Sequence, residues 1–248
     1  MKNKFTFAAL LVSGILPQLG YSLPSGFVYL KDIDPSIQQD IRYAGEHNFV
    51  GRPIKGYEKA TCILTKPAAQ ALKKVQTDLR KKKLSLKVYD CYRPQMAVDD
   101  FYQWSKNASD TKMKAEFYPN VDKSMLFNSG YIARYSGHTM GSTVDLTIVP
   151  VPAPKQATYT DGQKLQACYA PLNQRFKDNS IDMGTGFDCL DPHAHYAYKQ
   201  ICQRAQDNRS LLKKVMMDNG FEPYSKEWWH FTYKNQLYPN RYFNFPVK

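Results

Sequence analysis

Residues 143–149, Thr-Val-Asp-Leu-Thr-Ile-Val, place a carboxylate inside a β-branched, apolar run. That composition predicts a buried strand, stopped by the turn Pro150-Val151-Pro152-Ala153-Pro154. An ionised carboxylate is costly in such a strand unless a partner compensates its lost hydration. A cation brought to Asp145 would supply that compensation.

The rest of the chain reads as a mixture of helices and non-repeating strands. Residues 66–82 put Ala69, Leu72, Val75 and Leu79 at helical spacing, with Pro67 tolerated in the first turn. Leu84 to Tyr89 alternates apolar and polar residues as a half-buried strand does, and it runs into Asp90-Cys91-Tyr92-Arg93-Pro94, so Arg93 sits at a strand end. Phe27–Leu30 reads as a short strand, 48–57 as a loop, Gln95–Lys106 as a helix, and the segment on to Asn120 as a polar, irregular excursion. Past a long loop, 204–219 reads as a helix capped by Gly220, and Trp228–Tyr233 as a last strand. The expected class is α+β, a single domain. With 43% hydrophobic residues and no internal repeat or low-complexity tract, the chain should fold compactly throughout.

Lys2 and Lys4 precede an apolar run from Phe5 to Leu19 that ends in Gly20-Tyr21-Ser22, which reads as a secretory signal peptide over 1–22 and a catalytic domain over 23–248. The run is shorter than the roughly 20 residues needed to span a bilayer, and no later segment approaches that length, so no transmembrane segment is expected after cleavage. Cleavage lowers the formal charge from +12 to +10. The basic residues are dispersed apart from Lys81-Lys82-Lys83, and no nucleic-acid-binding pattern accompanies them, so nucleic acid is not an expected partner. An anionic envelope polymer suits the charge better. Cys62, Cys91, Cys168, Cys189 and Cys202 include no Cys-x-x-Cys pair, which argues against a thiolate zinc site. In an oxidising compartment, spacing suggests Cys62–Cys91 and Cys168–Cys189, the latter stabilising by about 3 kcal/mol, with Cys202 left over.

Three segments carry the residue types of a mononuclear zinc hydrolase: Ser136 to Asp145, Glu227-Trp228-Trp229-His230, and the strand-end Arg93. A catalytic zinc takes three protein ligands and keeps a fourth position open; His138, Asp145 and His230 would supply the three. Glu227 is the candidate general base, provided the chain bends, since residues three apart on an extended strand face opposite ways. Arg93 would stabilise a developing oxyanion. His193 and His195, in Asp191-Pro192-His193-Ala194-His195, form a competing ligand pair that lacks an adjacent acid and base.

At these residues the chain resembles the zinc D-alanyl-D-alanine dipeptidases, relatives of the D,D-carboxypeptidases and of the hedgehog signalling domain. The resemblance covers essentially all of 23–248. It runs through Arg42-Tyr43-Ala44, Asn48-Phe49-Val50-Gly51-Arg52-Pro53, Tyr92-Arg93-Pro94, the Ser136 to Asp145 run, Met183-Gly184-Thr185-Gly186-Phe187-Asp188, Glu227 to His230, and the tail from Tyr238-Pro239-Asn240 to Pro246-Val247-Lys248. It implies a central, mainly antiparallel sheet flanked by helices, one zinc ion on His138, Asp145 and His230, Glu227 as base, and Arg93 at the transition state. It also implies a small, closed pocket for D-Ala-D-Ala or a similar dipeptide. There Asp188 would pair with the ammonium group while Ser136, Tyr43, Tyr57 and Phe101 shape the space around the methyl groups and carboxylate.

The chain departs from the family signature Ser-x-His-x-x-Gly-x-Ala-x-Asp at Thr143, whose extra atoms are expected to narrow the pocket without removing a ligand. Its cysteines and export signal also differ from the cytoplasmic resistance enzyme of the family. A D,D-carboxypeptidase or L,D-endopeptidase acting on longer muropeptides would need an open cleft near Asp188. A zinc-bearing binding module without activity would have no use for Glu227 and Arg93.

Overall fold

The structure, a computed structural model, describes residues 22–248; the expected signal peptide lies outside them except for Ser22. Strand β1 (Phe27–Tyr29) pairs antiparallel with β3 (Ile63–Thr65) in a two-stranded sheet. The main sheet has five strands: β2 (Gln38–Gln39), β4 (Leu84–Asp90), β5 (Thr143–Pro150), β6 (Phe221–Pro223) and β7 (His230–Tyr233). Their order is β2-β4-β5-β7-β6, with β2 parallel to β4 and every other pairing antiparallel. This is the α+β architecture expected, with a central and mainly antiparallel sheet.

Helices α1 (Leu30–Ile33) and α2 (Lys66–Arg80) precede β4; α3 (Gln95–Lys106) and α4 (Lys114–Phe117) follow it; α5 (Gln203–Asp218) precedes β6. The four residues at helical spacing in α2 are fully buried, and α2 packs on β4 and against α5. Helix α5 ends just before Gly220, whose φ of +87° a residue with a Cβ adopts only under strain. Phe27–Leu30 splits, because Leu30 already starts the one-turn α1. The polar excursion is more ordered than its composition suggests: Met113, Phe117 and Tyr118 are buried, and the first two, four residues apart, anchor α4. Strand β7 starts at His230 rather than Trp228, since both tryptophans are buried in the turn before it.

Disulfides join Cys62 to Cys91 and Cys168 to Cys189, and Cys202 is free and exposed. Within the long segment between β5 and α5, the Ile181 amide donates to the Ile148 carbonyl of β5 at 2.9 Å. Lys87 and Tyr89, on one face of β4, both donate to Asp178 of that segment, as does Arg42. Burial alone would raise the Asp178 carboxyl, but Lys87 and Arg42 more than offset it and leave it below its ordinary value. The ionised group therefore contributes stability that is complete above the unfolded-state value of about 3.9 and is lost as pH falls through the lower folded value. Asp178→Asn takes from Lys87 and Arg42 the carboxylate they share. It should lower the melting temperature at pH 7 and differ less from the wild type at about pH 3, below the unfolded-state value, where the contribution of the ionised group has begun to fall. Thermal melts at both pH values check this, and an equal gap at each would contradict it.

Candidate functional site

The register of the main sheet assembles most of the site. Asp145 of β5 lies opposite Asp90 of β4 on one side and opposite His230 of β7 on the other, and a bulge between Val88 and Asp90 re-aims the end of β4. His138 arrives from a short 3-10 helix, Gly137–Met140, just before β5. Ser136 caps that helix by accepting from the His138 amide at 3.3 Å, and Gly141 ends it at φ +82°, where an added Cβ would lie 2.2 Å from the Phe27 ring.

The His138 Nδ1 atom lies 2.7 Å from the Cys91 carbonyl. A carbonyl can only accept, so Nδ1 carries the proton and the Nε2 lone pair faces the site. Nε2 is 3.3 Å from Asp145 Oδ1 and 3.3 Å from His230 Nδ1, and His230 Nδ1 is 3.1 Å from the same Oδ1. Asp145 Oδ1 is buried and makes no well-directed hydrogen bond. A proton on His230 Nδ1 could serve one neighbour, whereas a cation between them would satisfy all three atoms at once. Among the described residues these three form the group whose donor atoms, all within 4.8 Å of one another, could hold a metal ion. Burial would raise the Asp145 carboxyl, but His138 and His230 reverse this and hold it well below the carboxylate range. Two imidazole nitrogens and one carboxylate oxygen are a donor set that fits zinc with a position left open.

Glu227 reaches the cluster because the chain turns: its amide donates to the Tyr224 carbonyl, the His230 amide donates to the Glu227 carbonyl, and its Oε2 lies 3.4 Å from His230 Nδ1. Trp228 anchors the turn, its indole N–H donating to Thr185 Oγ1 at 2.8 Å. Burial, then the charges of Asp145 and Asp188, push the Glu227 carboxyl well above its ordinary value. A divalent cation at the cluster would oppose that rise.

Arg93 is packed over the rings of Tyr43 and Phe101, at 5.0 and 5.3 Å, and both Nε and Nη2 lie 2.9 Å from Asp90 Oδ2. Its Nη2 is 3.7 Å from Asp145 Oδ2. Asp188, at φ +55°, accepts from the Tyr43 hydroxyl at 2.8 Å. A non-glycine residue held in that region is strained backbone of the kind that gathers at functional sites. Burial, reinforced by the charge of Asp145, raises its carboxyl to about 8.

These groups line one cavity of about 240 Å³ that also takes in Tyr43, Phe101 and Ser136. Tyr57 is placed differently: it does not line the cavity but donates its hydroxyl to Asp90 Oδ1 at 2.6 Å, behind Arg93. Nor does Thr143 narrow the pocket. Its hydroxyl pairs with that of Thr232 at 2.9 Å beneath Gly137, where an added Cβ would come within 2.8 Å of it. His193 and His195 separate from the cluster, His193 pairing with Asp191 and His195 with Tyr131. The sequence reading missed the remaining lining residues, Phe49, Gly130 to Ala133, Leu190 and Tyr224. Phe49 and Gly130 stand in ordinary loop sequence and carry no chemical signal of their own.

A two-histidine, one-carboxylate cluster at the ends of an antiparallel sheet, opening into a small cavity, defines an α+β protein with a candidate mononuclear metal centre. Comparison with known proteins narrows this: residues 24–151 and 153–248 match the D-ala-D-ala dipeptidase family, and the chain belongs to that family. It is 34% identical over 225 residues to a D-alanyl-D-alanine dipeptidase of Enterococcus faecalis, covering 91% of this chain and 100% of the relative. A D-alanyl-D-alanine dipeptidase of Enterococcus faecium is 35% identical over 90% of this chain and 98% of its own length. One of Streptomyces coelicolor is 33% identical over 89% and 98%. Family membership makes this chain a peptidase.

Proposed function

We propose that the chain is a zinc-dependent dipeptidase that hydrolyses D-alanyl-D-alanine, or a closely similar small dipeptide, outside the cytoplasm. The observation that carries this reading is the meeting, in one cavity of about 240 Å³, of the three converging donor atoms with Glu227 and the buried Asp188.

His138, Asp145 and His230 would hold the ion, which when bound supplies a Lewis acid that polarises the scissile carbonyl and acidifies water. Glu227 accepts the proton of the attacking water and returns one to the departing amine. Arg93, fixed by Asp90 and by the rings of Tyr43 and Phe101, stabilises the oxyanion as the carbonyl becomes tetrahedral. Asp188 and the Tyr43 hydroxyl receive the free ammonium group, whose charge keeps Asp188 ionised despite its burial. A substrate with a blocked amino terminus would leave that carboxylate buried and unpaired, which disfavours longer muropeptides. The two disulfides and the signal-like residues 1–22 support export to an oxidising compartment. No helix among the described residues is long and apolar enough to cross a membrane.

The test is release of free D-alanine from D-Ala-D-Ala by the purified protein, with and without a chelator and with the N-acetylated dipeptide alongside. Chelator-sensitive cleavage of the free dipeptide alone is expected. Equal cleavage of the blocked substrate would replace this reading with a carboxypeptidase, and cleavage that survives complete metal removal would end the zinc assignment.

A further inference from the structure

The segment Gly130 to Ala133 lines the cavity beside Glu227 and His230, yet its sequence carries no catalytic signal. Its own amides donate locally, Gly130 to the Phe127 carbonyl and Tyr131 and Ile132 to that of Leu126, and three longer-range ties reach it or its neighbour Ser129. The Tyr224 hydroxyl donates to the Gly130 carbonyl at 3.0 Å, Lys226 Nζ donates to the Ser129 carbonyl at 2.6 Å, and the Tyr131 hydroxyl lies 3.0 Å from His195 Nε2. The first two ties come from the turn that carries Glu227 and hold main chain. The third holds a side chain of the segment itself, the cavity-lining Tyr131.

His195 is itself held firmly. Buried Arg209 donates to the carbonyls of His195, His193 and Met183, at 3.0, 2.9 and 2.7 Å. His195 does not line the cavity and takes no part in the metal cluster. Burial, then the nearby charges of Lys226 and Arg209, depress its ring, which keeps it neutral and able to pair with a phenol hydroxyl.

We propose that His195 is a positioning residue: by holding the Tyr131 hydroxyl it fixes residues 130–133 as the wall that confines the pocket to a dipeptide. The proposal rests on the dipeptidase reading. Asp188, Tyr43 and Tyr131 line one cavity of about 240 Å³, so with the ammonium group at Asp188 a chain longer than two residues would press on the Tyr131 wall. Without its tie, the tyrosine ring would sample other rotamers and the wall would yield.

The test compares Tyr131→Phe, His195→Ala, the double variant and His195→Gln, measuring kcat and KM for D-Ala-D-Ala and for D-Ala-D-Ala-D-Ala. Each single variant should shift the ratio of kcat/KM for dipeptide over tripeptide about fivefold toward the tripeptide, the effect of one neutral hydrogen bond. The change should fall mainly on KM. The double variant should be no worse than either single one, and His195→Gln, which can still pair with the hydroxyl, should recover part of the preference. Unchanged discrimination in Tyr131→Phe, or additive losses in the double variant, would overturn the proposal. Amide hydrogen exchange over residues 129–133 supplies a readout that needs no substrate. If the wild type cleaves neither peptide, the dipeptidase reading falls, and wild-type exchange in His195→Ala then overturns the tie on its own.

Discussion

Glu227→Gln is expected to keep the metal and lose dipeptide turnover by about two to four orders of magnitude, the range typical of a general acid–base group. The substitution preserves size and removes only the ability to take up a proton. Glu227 is not one of the three converging donor atoms, so metal content should stay near that of the wild type. His138→Ala should behave in the opposite way: it deletes the Nε2 donor and leaves Asp145 with one imidazole in place of two, so metal and activity go together. Metal analysis beside kcat separates the two outcomes. A Glu227→Gln protein that hydrolyses at the wild-type rate would remove this residue from the mechanism, whatever its distance from His230.

Asp145 was legible in the sequence because a carboxylate within Thr143 to Val149 is costly to bury unless a partner compensates it, and that cost does not depend on topology. Helices α2 and α3 and strand β4 were legible for a related reason, since their periodicity records one buried face. The register was not legible. That Asp145 would stand between Asp90 and His230 follows from which strands pair and where β4 bulges, and a one-residue slip would send each side chain to the other face. The two-residue β2 and three-residue β6 are too short to show a period. The bend needed between Glu227 and His230 could be stated as a condition, but not the burial of Trp228 and Trp229 that produces it. Residues 129–133 are joined to the site by ties to Tyr224, Lys226 and His195, residues 64 to 97 positions away. Tyr57 was assigned to the pocket by resemblance alone. Its hydrogen bond to Asp90 shows how a residue can belong to a site's support while standing outside its cavity.

Arg93→Lys is expected to lower kcat by about a hundred- to a thousandfold while metal and fold persist, the cost of losing one preorganised donor to an oxyanion. Lysine keeps the charge but lacks the planar fork that Asp90 grips through Nε and Nη2, and its flexible stem does not reproduce the packing over Tyr43 and Phe101. The competing account is that Arg93 merely neutralises Asp90, which is fully buried and would be left without its partner. On that account a lysine would restore most of the function, and whatever loss remained would appear in the melting temperature rather than in kcat. Tyr57→Phe provides the graded comparison. It removes a donor to Asp90 and touches neither substrate nor metal, so its effect should be several-fold, transmitted through the orientation of Arg93, and smaller than that of Arg93→Lys. Should Tyr57→Phe cost as much as Arg93→Lys, the fork geometry would not be the decisive feature, and the charge balance of Asp90 would govern the site.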